Sequence, residues 1–220
     1  MNSLAFYSHS ISMTKILIAD DHTVVRKGIQ TFLNESFDKL HIDEVVDGTE
    51  ILKKISYTNY DLLIMDIQMP NTDAFDIMQY IKIKFPDVKV LVFSMSPENI
   101  YGLRFLKAGA SGFLSKDQSL HEFKKAIETI LSGGKYISKS LAEFLTYSSF
   151  TPNAATPFEK LSKREFEVMS LLLAGNSIND ISHQLNIHSS TIGTHKARIF
   201  EKLNVINMLE LKELADLYKM

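Results

Sequence analysis

Between residues 15 and 132 short apolar runs alternate with amphipathic stretches, and this alternation predicts an architecture before any single residue is weighed. The runs Ile16–Ala19, Ile42–Val46, Leu62–Met65, Val88–Phe93 and Gly112–Leu114 read as strands. The stretches near 23–34, 49–56, 73–84, 97–108 and 119–131 read as helices. Leu62-Leu63-Ile64-Met65 is apolar without alternation, the pattern of a strand buried on both faces of a parallel sheet. Five strand–helix units in succession predict an α/β, doubly wound, five-stranded parallel sheet covered by helices on both faces. The punctuation agrees. Ser96-Pro97-Glu98 offers an N-cap, a proline at the first helical position and a first-turn acid, while Gly109 and Gly133-Gly134 follow the helices they close.

The pattern then changes. After Gly134 the chain keeps a helical character to about Tyr147, and the run Ser148 to Pro157, two prolines among small polar residues, reads as a linker. Beyond it only helical periodicity remains. Ser162-Lys163-Arg164-Glu165 fits a capping box opening a helix from Phe166 to Leu173, which Gly175 ends. Ser177 caps a short second helix through Leu185, a turn at Asn186-Ile187 leads into a third ending near Leu203, and a last runs from Met208 to Tyr218. The expected organisation is a tail (1–14), an α/β domain (15–132), a helical extension and linker (133–157), and a small all-α four-helix domain (158–220).

Composition narrows the function classes only a little. The chain has 220 residues, 45% hydrophobic and 23% charged, as an ordinary globular protein does. Without cysteine there is no disulfide framework and no thiolate metal site, which fits a reducing, cytoplasmic setting. No apolar run approaches the roughly 18 residues of a bilayer span, and residues 1–14 lack the basic start and apolar core of a signal peptide. A net charge of −2 leaves nucleic-acid binding undecided, so that question rests on where the charges sit.

The strand ends carry the chemistry. The first strand runs into Asp20-Asp21, the third into Asp66, the fourth into Ser94 and the fifth into Ser115-Lys116, and a parallel sheet brings all of these to one edge. Each has an ordinary structural explanation alone; their order at successive strand ends makes coincidence improbable. Three crowded carboxylates repel one another unless a cation is present, and a hard divalent ion with oxygen ligands, Mg²⁺, resolves the repulsion. A carboxylate can then serve as nucleophile in phosphoryl transfer, with a lysine and a hydroxyl holding the phosphoryl oxygens.

At these residues the chain resembles response-regulator receiver domains, which have a flavodoxin-like fold. The matching stretches are Ile16-Leu17-Ile18-Ala19-Asp20-Asp21-His22, Asp66-Ile67-Gln68-Met69-Pro70, Phe93-Ser94 and Lys107 through Asp117. The resemblance implies that Asp66 accepts a phosphoryl group from a sensor histidine kinase. It also implies that Asp21, Asp66 and the backbone carbonyl of Gln68 ligate Mg²⁺ with Asp20 acting through water, that Ser94 and Phe113 form the switch pair, and that Lys116 is the phosphoryl-contacting lysine. Ser94 is expected to move onto the phosphoryl group and vacate space for the Phe113 ring, shifting a population between two states. Two departures stand out: Phe113 replaces the commoner tyrosine, and Ala74 stands where the family usually has glycine, at a cost of about 1 kcal/mol if the backbone there needs positive φ.

In the second half, two short helices joined by a tight turn within a four-helix unit suggest a helix-turn-helix; a plain dimerisation bundle is the alternative, and it predicts no polar face on the third helix. At 100° per residue Ile192, Ile199 and Leu203 share one side of that helix. Ser190, Thr194, Ala197, Arg198 and Glu201 lie opposite with Gly193 beside them, and Lys196 and Lys202 flank the core side within reach of phosphates. Leu161–Glu165, Ile178–Ser182, Thr191–Ile199 and Lys202–Val205 look like the DNA-binding domain of the NarL/FixJ, or LuxR-type, family. The candidate DNA-binding set is Ser190, Thr191, Gly193, Thr194, Lys196, Arg198 and Lys202, with Arg198 the one strong base reader. His188 stands where a serine N-cap is usual, leaving Ser189 or Ser190 to cap the helix.

These readings combine into a phosphorylation-dependent transcription regulator, not an enzyme. Its expected partners are a sensor histidine kinase, double-stranded promoter DNA and a second copy of itself, with no membrane. A metal-dependent phosphatase and a regulator that never uses phosphate are the rivals; the first lacks a second acid/base carboxylate, and the complete acidic set with Lys116 speaks against the second.

Overall fold

In a computed structural model of the chain, residues 13–70, 72–96, 98–150 and 157–218 are described. The leading residues 1–12, Asn71, Pro97 and linker residues 151–156 lie outside them, and so does that part of the expectations for the tail, the Ser96-Pro97-Glu98 cap and the linker.

The first part of the chain alternates β1 (Thr14–Ala19), α1 (Thr23–Ser36), β2 (Leu40–Val45), α2 (Gly48–Tyr57), β3 (Leu62–Met65), α3 (Ala74–Lys84), β4 (Lys89–Ser94), α4 (Glu98–Ala108), β5 (Gly112–Ser115) and α5 (Leu120–Leu131). All strand pairings are parallel and the order is β2-β1-β3-β4-β5. The chain reverses its direction of travel across the sheet at the β1–β3 pair, which is where an open α/β sheet forms a crevice at the carboxyl ends of its strands. All four residues of β3 are buried, as the unalternating run predicts. On one face Ile16, Ile18, Leu62, Ile64, Leu91 and Leu114 pack with Ile29 and Leu33 of α1 and Phe123, Ile127 and Ile130 of α5. Leu17, Leu63, Val90 and Val92, the alternate positions, are equally buried. Burying each such side chain is worth about 1.5–3 kcal/mol, and this holds the strand ends in register.

Ala74 proves to be the first residue of α3, capped by the Asp73 carboxylate, which accepts from the N–H groups of Phe75 and Asp76 at 3.1 Å. It is not among the described residues with positive φ, so the expected strain does not arise.

After α5, Tyr136 bridges to Gly112, and α6 (Lys139–Phe150) follows. A 3₁₀ turn (Pro157–Lys160) leads into α7 (Lys163–Leu173), α8 (Ile178–Leu185), α9 (Ser189–Leu203) and α10 (Met208–Leu217). Capping boxes at Ser162/Glu165 and Ser177/Asp180 open α7 and α8. Asn186 and Asn204, at φ 50° and 55°, close α8 and α9 in the left-handed conformation that asparagine tolerates. The core of these helices is Phe158, Phe166, Met169, Leu172, Ile181, Ile192, Ile199, Leu203 and Leu211 among others. By backbone proximity the chain parts into two compact units, Met1–Met95 with Arg104–Tyr136, and Ser96–Leu103 with Ile137–Met220.

Candidate functional site

The sheet ladder continues one residue past the strand ends and fixes the acids side by side. The Asp66 N–H donates to the Ala19 carbonyl at 2.9 Å, the Asp20 N–H to Val45 at 3.2 Å, and the Lys116 N–H to Ser94 at 3.0 Å. Arg26 of α1 ties the backbone of Asp20 down further, donating from Nη1 to its carbonyl at 2.7 Å while Nε holds Glu44 at 3.0 Å.

On that frame Asp20 and Asp66 are 2% and 4% exposed, and Lys116 lies across both, its Nζ 2.6 Å from Asp20 Oδ2 and 2.5 Å from Asp66 Oδ2. Burial works to lower the Lys116 pKa, but the hydrogen bonds and charges of the two carboxylates outweigh it and raise the value above the ordinary lysine range. The other oxygen of Asp66 accepts from the Ser94 hydroxyl at 2.7 Å and from the main-chain N–H of Gln68 at 3.1 Å. Gln68 thus meets the acid through its backbone while its side chain faces solvent.

The expected switch pair lies beside this site. Ser94 already sits on the free carboxylate, and Phe113 is fully buried, its ring 6.4 Å from that of Phe105, which stacks on Phe75 at 4.0 Å. The carboxylate is itself an acceptor strong enough to hold the hydroxyl, and an apolar ring with no phenolic oxygen has no reason to stay in water.

Asp20, Asp21, His22 and Asp66 each offer a ligand atom, and these atoms lie within 4.8 Å of one another. Asp21 Oδ1 is buried and makes no hydrogen bond; its close contact is the ring nitrogen of His22 at 2.8 Å. The donor set suits a divalent metal ion. His22 had entered the sequence reading only as part of a matching stretch; its nearness to the acids was foreshadowed by nothing more than its position after Asp21.

In the helical domain α9 buries Ile192, Ile199 and Leu203 and exposes Ser190, Thr191, Thr194, Ala197, Arg198 and Glu201, with Gly193 half-buried. The polar face that a plain bundle lacks is present. Lys196 is half-buried, its ammonium 5.4 Å from the centroid of the Phe200 ring. Lys202 departs from the expectation: its Nζ is 2.6 Å from Glu165, the buried capping-box carboxylate of α7, rather than directed outward with the others. Burial raises the Glu165 pKa, yet Lys202 and the Ser162 donors prevail and bring it down to about 2. Nor do Ser189 or Ser190 cap α9. His188 holds the N-cap position without a side-chain hydrogen bond, and the Ser189 hydroxyl donates to Asn179 of α8 at 3.2 Å, bracing the two helices. His195, unremarked in the sequence, keeps Nδ1 buried without a partner; burial, with Arg164 and Arg198 nearby, lowers its pKa, and Glu165 opposes them.

Among the described residues no helix is long and apolar enough to cross a membrane. The family described as response regulator receiver domain matches residues 16–128, and that of bacterial regulatory proteins of the luxR family matches 159–215. The chain is 32% identical to the response regulator GacA of Pseudomonas protegens, over 92% of this chain and 95% of that protein. It is also 32% identical to the response regulator UvrY of Escherichia coli, over 92% and 94%. Among solved structures, the RcsB response regulator of Salmonella typhimurium superposes with a TM-score of 0.73 at 25% identity, covering 96% of this chain and 100% of that one. The same protein from Salmonella enterica serovar Typhimurium, bound to promoter rprA in the presence of the phosphomimetic BeF₃⁻, superposes at 0.69 with 25% identity over 93% and 99%. With both families matched in one chain and relatives aligned over nearly its full length, the protein belongs to the NarL/FixJ response regulators, a receiver domain joined to a luxR-type DNA-binding domain.

Proposed function

We propose that Asp66 is the phosphoacceptor of a cytoplasmic, Mg²⁺-dependent transcription regulator, phosphorylated by a sensor histidine kinase. The observation that supports this best is the grouping on one sheet edge of a buried carboxylate with a lysine ammonium at 2.5 Å and a serine hydroxyl at 2.7 Å. In the transfer an Asp66 carboxylate oxygen attacks phosphorus as the bond to the kinase imidazole nitrogen breaks, and that nitrogen recovers a proton from solvent. Lys116 turns from the carboxylates to the phosphoryl oxygens, and Ser94 shifts its hydroxyl from the acid to the group it carries. Asp21, Asp66 and the Gln68 carbonyl, with Asp20, would hold Mg²⁺, which would supply positive charge against the phosphoryl oxygens. Since Ser94 and Phe113 already lie inward, phosphorylation stabilises an arrangement the protein can reach without it, a shift in population rather than a new conformation.

The readout is DNA. Thr191, Thr194 and Ala197 allow close approach to base edges and thymine methyls, Gly193 leaves room for the groove wall, Ser190 and Lys196 address phosphates, and Arg198 reads a guanine. RcsB, bound to a promoter with a phosphomimetic, supports the same order of events here. Two α9 helices in a homodimer enter half-sites about one helical turn apart. The chain carries out no turnover beyond loss of its own phosphoryl group.

Replacing Asp66 by Asn tests the centre of this reading. Wild type treated with a phosphohistidine kinase gains a retarded band on a phosphate-affinity gel and shifts genomic promoter fragments at lower concentration; D66N does neither. An Asn variant labelled at the wild-type rate refutes the assignment.

A further inference from the structure

Resting on α9 as the DNA-reading helix, we propose that His195 takes up a proton when α9 enters the groove, so that promoter binding strengthens on acidification, independently of Asp66.

At 100° per residue His195 lies about 60° from Ile192, on the same flank of α9 as Lys202 at about 80°, with Arg198 beyond them at about 120°. Lys202 marks what that flank meets, since its ammonium is 2.6 Å from Glu165 of α7. The imidazole thus lies between α7 and the exposed face that carries Arg198; it is half-buried, and its Nδ1 is buried without a hydrogen-bond partner.

The charged groups acting on the ring are Arg164 and Glu165 of α7 and Arg198 of α9 itself. Glu165 is committed elsewhere, its Oε2 accepting from the Lys202 ammonium at 2.6 Å and the Ser162 N–H at 2.7 Å. Arg164 is anchored through Nη1 to Glu167 and through Nη2 to the Leu185 carbonyl, both at 2.8 Å, and so keeps its place on α7. The other elements packed on α9 are α8, with Asp180 and His183, and the 3₁₀ turn, with Glu159 and Lys160; Asp180 accepts from the Ser177 hydroxyl at 2.6 Å. Burial and the two guanidiniums hold the free ring below the ordinary histidine value of 6.5, with Glu165 opposing them.

A groove changes that balance, because it surrounds α9 with phosphates. A helix with its side chains is about 10–12 Å across and the Debye length at 0.1 M salt is about 10 Å, so a ring on the flank of α9 stays within range of the backbone. The phosphates offset both guanidiniums, and protonating the ring costs less in the complex than in the free chain. By linkage, DNA then binds more tightly as pH falls. The gain sets in at the ring's midpoint in the complex and levels off below its lower midpoint in the free chain.

The test uses the full-length protein, His195→Gln and His195→Phe, and a fluorescein-labelled duplex cut from a promoter fragment that the wild type retards. Anisotropy at fixed ionic strength gives the dissociation constants, and the His195 ring signals, identified by their loss in the variants, are titrated by NMR in the free chain and in the complex. Between about pH 7.5 and 5.5 the wild type is expected to gain about fivefold more affinity than either variant, a raised midpoint being worth at most about tenfold per unit. The ring midpoint is expected to be higher in the complex. Equal gains in the wild type and both variants, or a midpoint that DNA leaves unchanged or lowers, overturn the proposal while DNA reading by α9 stands. Where a variant proves unfolded in urea titration, the two wild-type ring titrations decide. A wild type that retards no promoter fragment removes α9 as the reading helix, and the proposal with it.

Discussion

Lys116 is the side chain on which the electrostatics of the receiver site turn, and removing it has a calculable cost. Its ammonium lies 2.6 Å from Asp20 and 2.5 Å from Asp66, acids only 2% and 4% exposed, and is itself 10% exposed. Truncation to Ala leaves two buried carboxylates facing each other with their shared cation gone, and breaking a buried ion pair from one side costs about 3–5 kcal/mol. Water entering the vacated channel offsets part of this, so we expect about 3 kcal/mol in EDTA near neutral pH. The sign of the pH dependence follows from the raised Lys116 pKa. The contribution is complete below the ordinary value of 10.5 and fades only as pH climbs through the higher folded value. Urea unfolding followed through the methyl signals of Ile18 and Ile64 isolates the transition of the sheet, and Lys116→Met separates lost charge from lost packing. A divalent cation should restore part of the stability of either variant, because it can take over the neutralising charge. A loss of less than about 1 kcal/mol for Lys116→Ala in EDTA would mean that the carboxylates do not depend on the lysine, and the electrostatic account of the site would fail.

Three further outcomes follow from the helical domain. Glu165 has its pKa depressed from 4.5 to about 2, so its contribution is present above 4.5 and is lost as pH falls through about 2. Glu165→Gln should therefore cost about 2–3 kcal/mol near neutral pH and much less at the acid end, read from the Ile192 and Ile199 methyl signals in urea; an equal loss at both ends contradicts the ion pair. Arg198→Ala should weaken promoter binding by about 1–3 kcal/mol in fluorescence anisotropy, whereas Lys202→Ala, with its ammonium on Glu165, should lower stability and leave the salt dependence of binding nearly unchanged. A flatter salt slope in the Lys202 variant would return that residue to the phosphate contacts. At Asn204, with φ 55°, Gly should be tolerated in thermal melts and Ala should cost about 1 kcal/mol; equal melting temperatures would remove the left-handed cap from the account.

The sequence pattern located the elements well because burial is what it encodes, and it slipped where pairing or a second helix decides. β1 begins at Thr14 and not at Ile16 because Thr14 and Lys15 pair with Leu40 and His41, a ladder partnership open to polar residues. Ser94 belongs to β4 through its pairing with Ser115, although its hydroxyl reads as the start of a loop. The strand-end acids were legible because a parallel sheet forces successive carboxyl ends to one edge, whatever the loops do. The ion pair of Lys202 was not legible for the opposite reason: angles around one helix cannot see Glu165, which reaches it from another. The same blindness hid the brace between Ser189 and Asn179, and the meeting of the His22 imidazole with Asp21 Oδ1 depends on a ring torsion that no residue spacing determines.

The receiver site asks its residues to satisfy two conditions that pull against each other. Holding Asp20 and Asp66 buried requires a cation at close range, which Lys116 supplies. Taking up a phosphoryl group adds roughly 1.5 to 2 negative charges at the same place, more than one ammonium can balance. The surplus cannot be met by Arg26, whose guanidinium is committed to the Asp20 carbonyl and to Glu44. On the proposed reading it falls to an ion at the acidic cluster, where Asp21 Oδ1, whose contact is the His22 ring nitrogen at 2.8 Å, lies beside the two acids. If Asp66 is the phosphoacceptor as proposed, a divalent cation would follow from charge balance at a largely buried site, the lysine matching the resting state and the metal the loaded one.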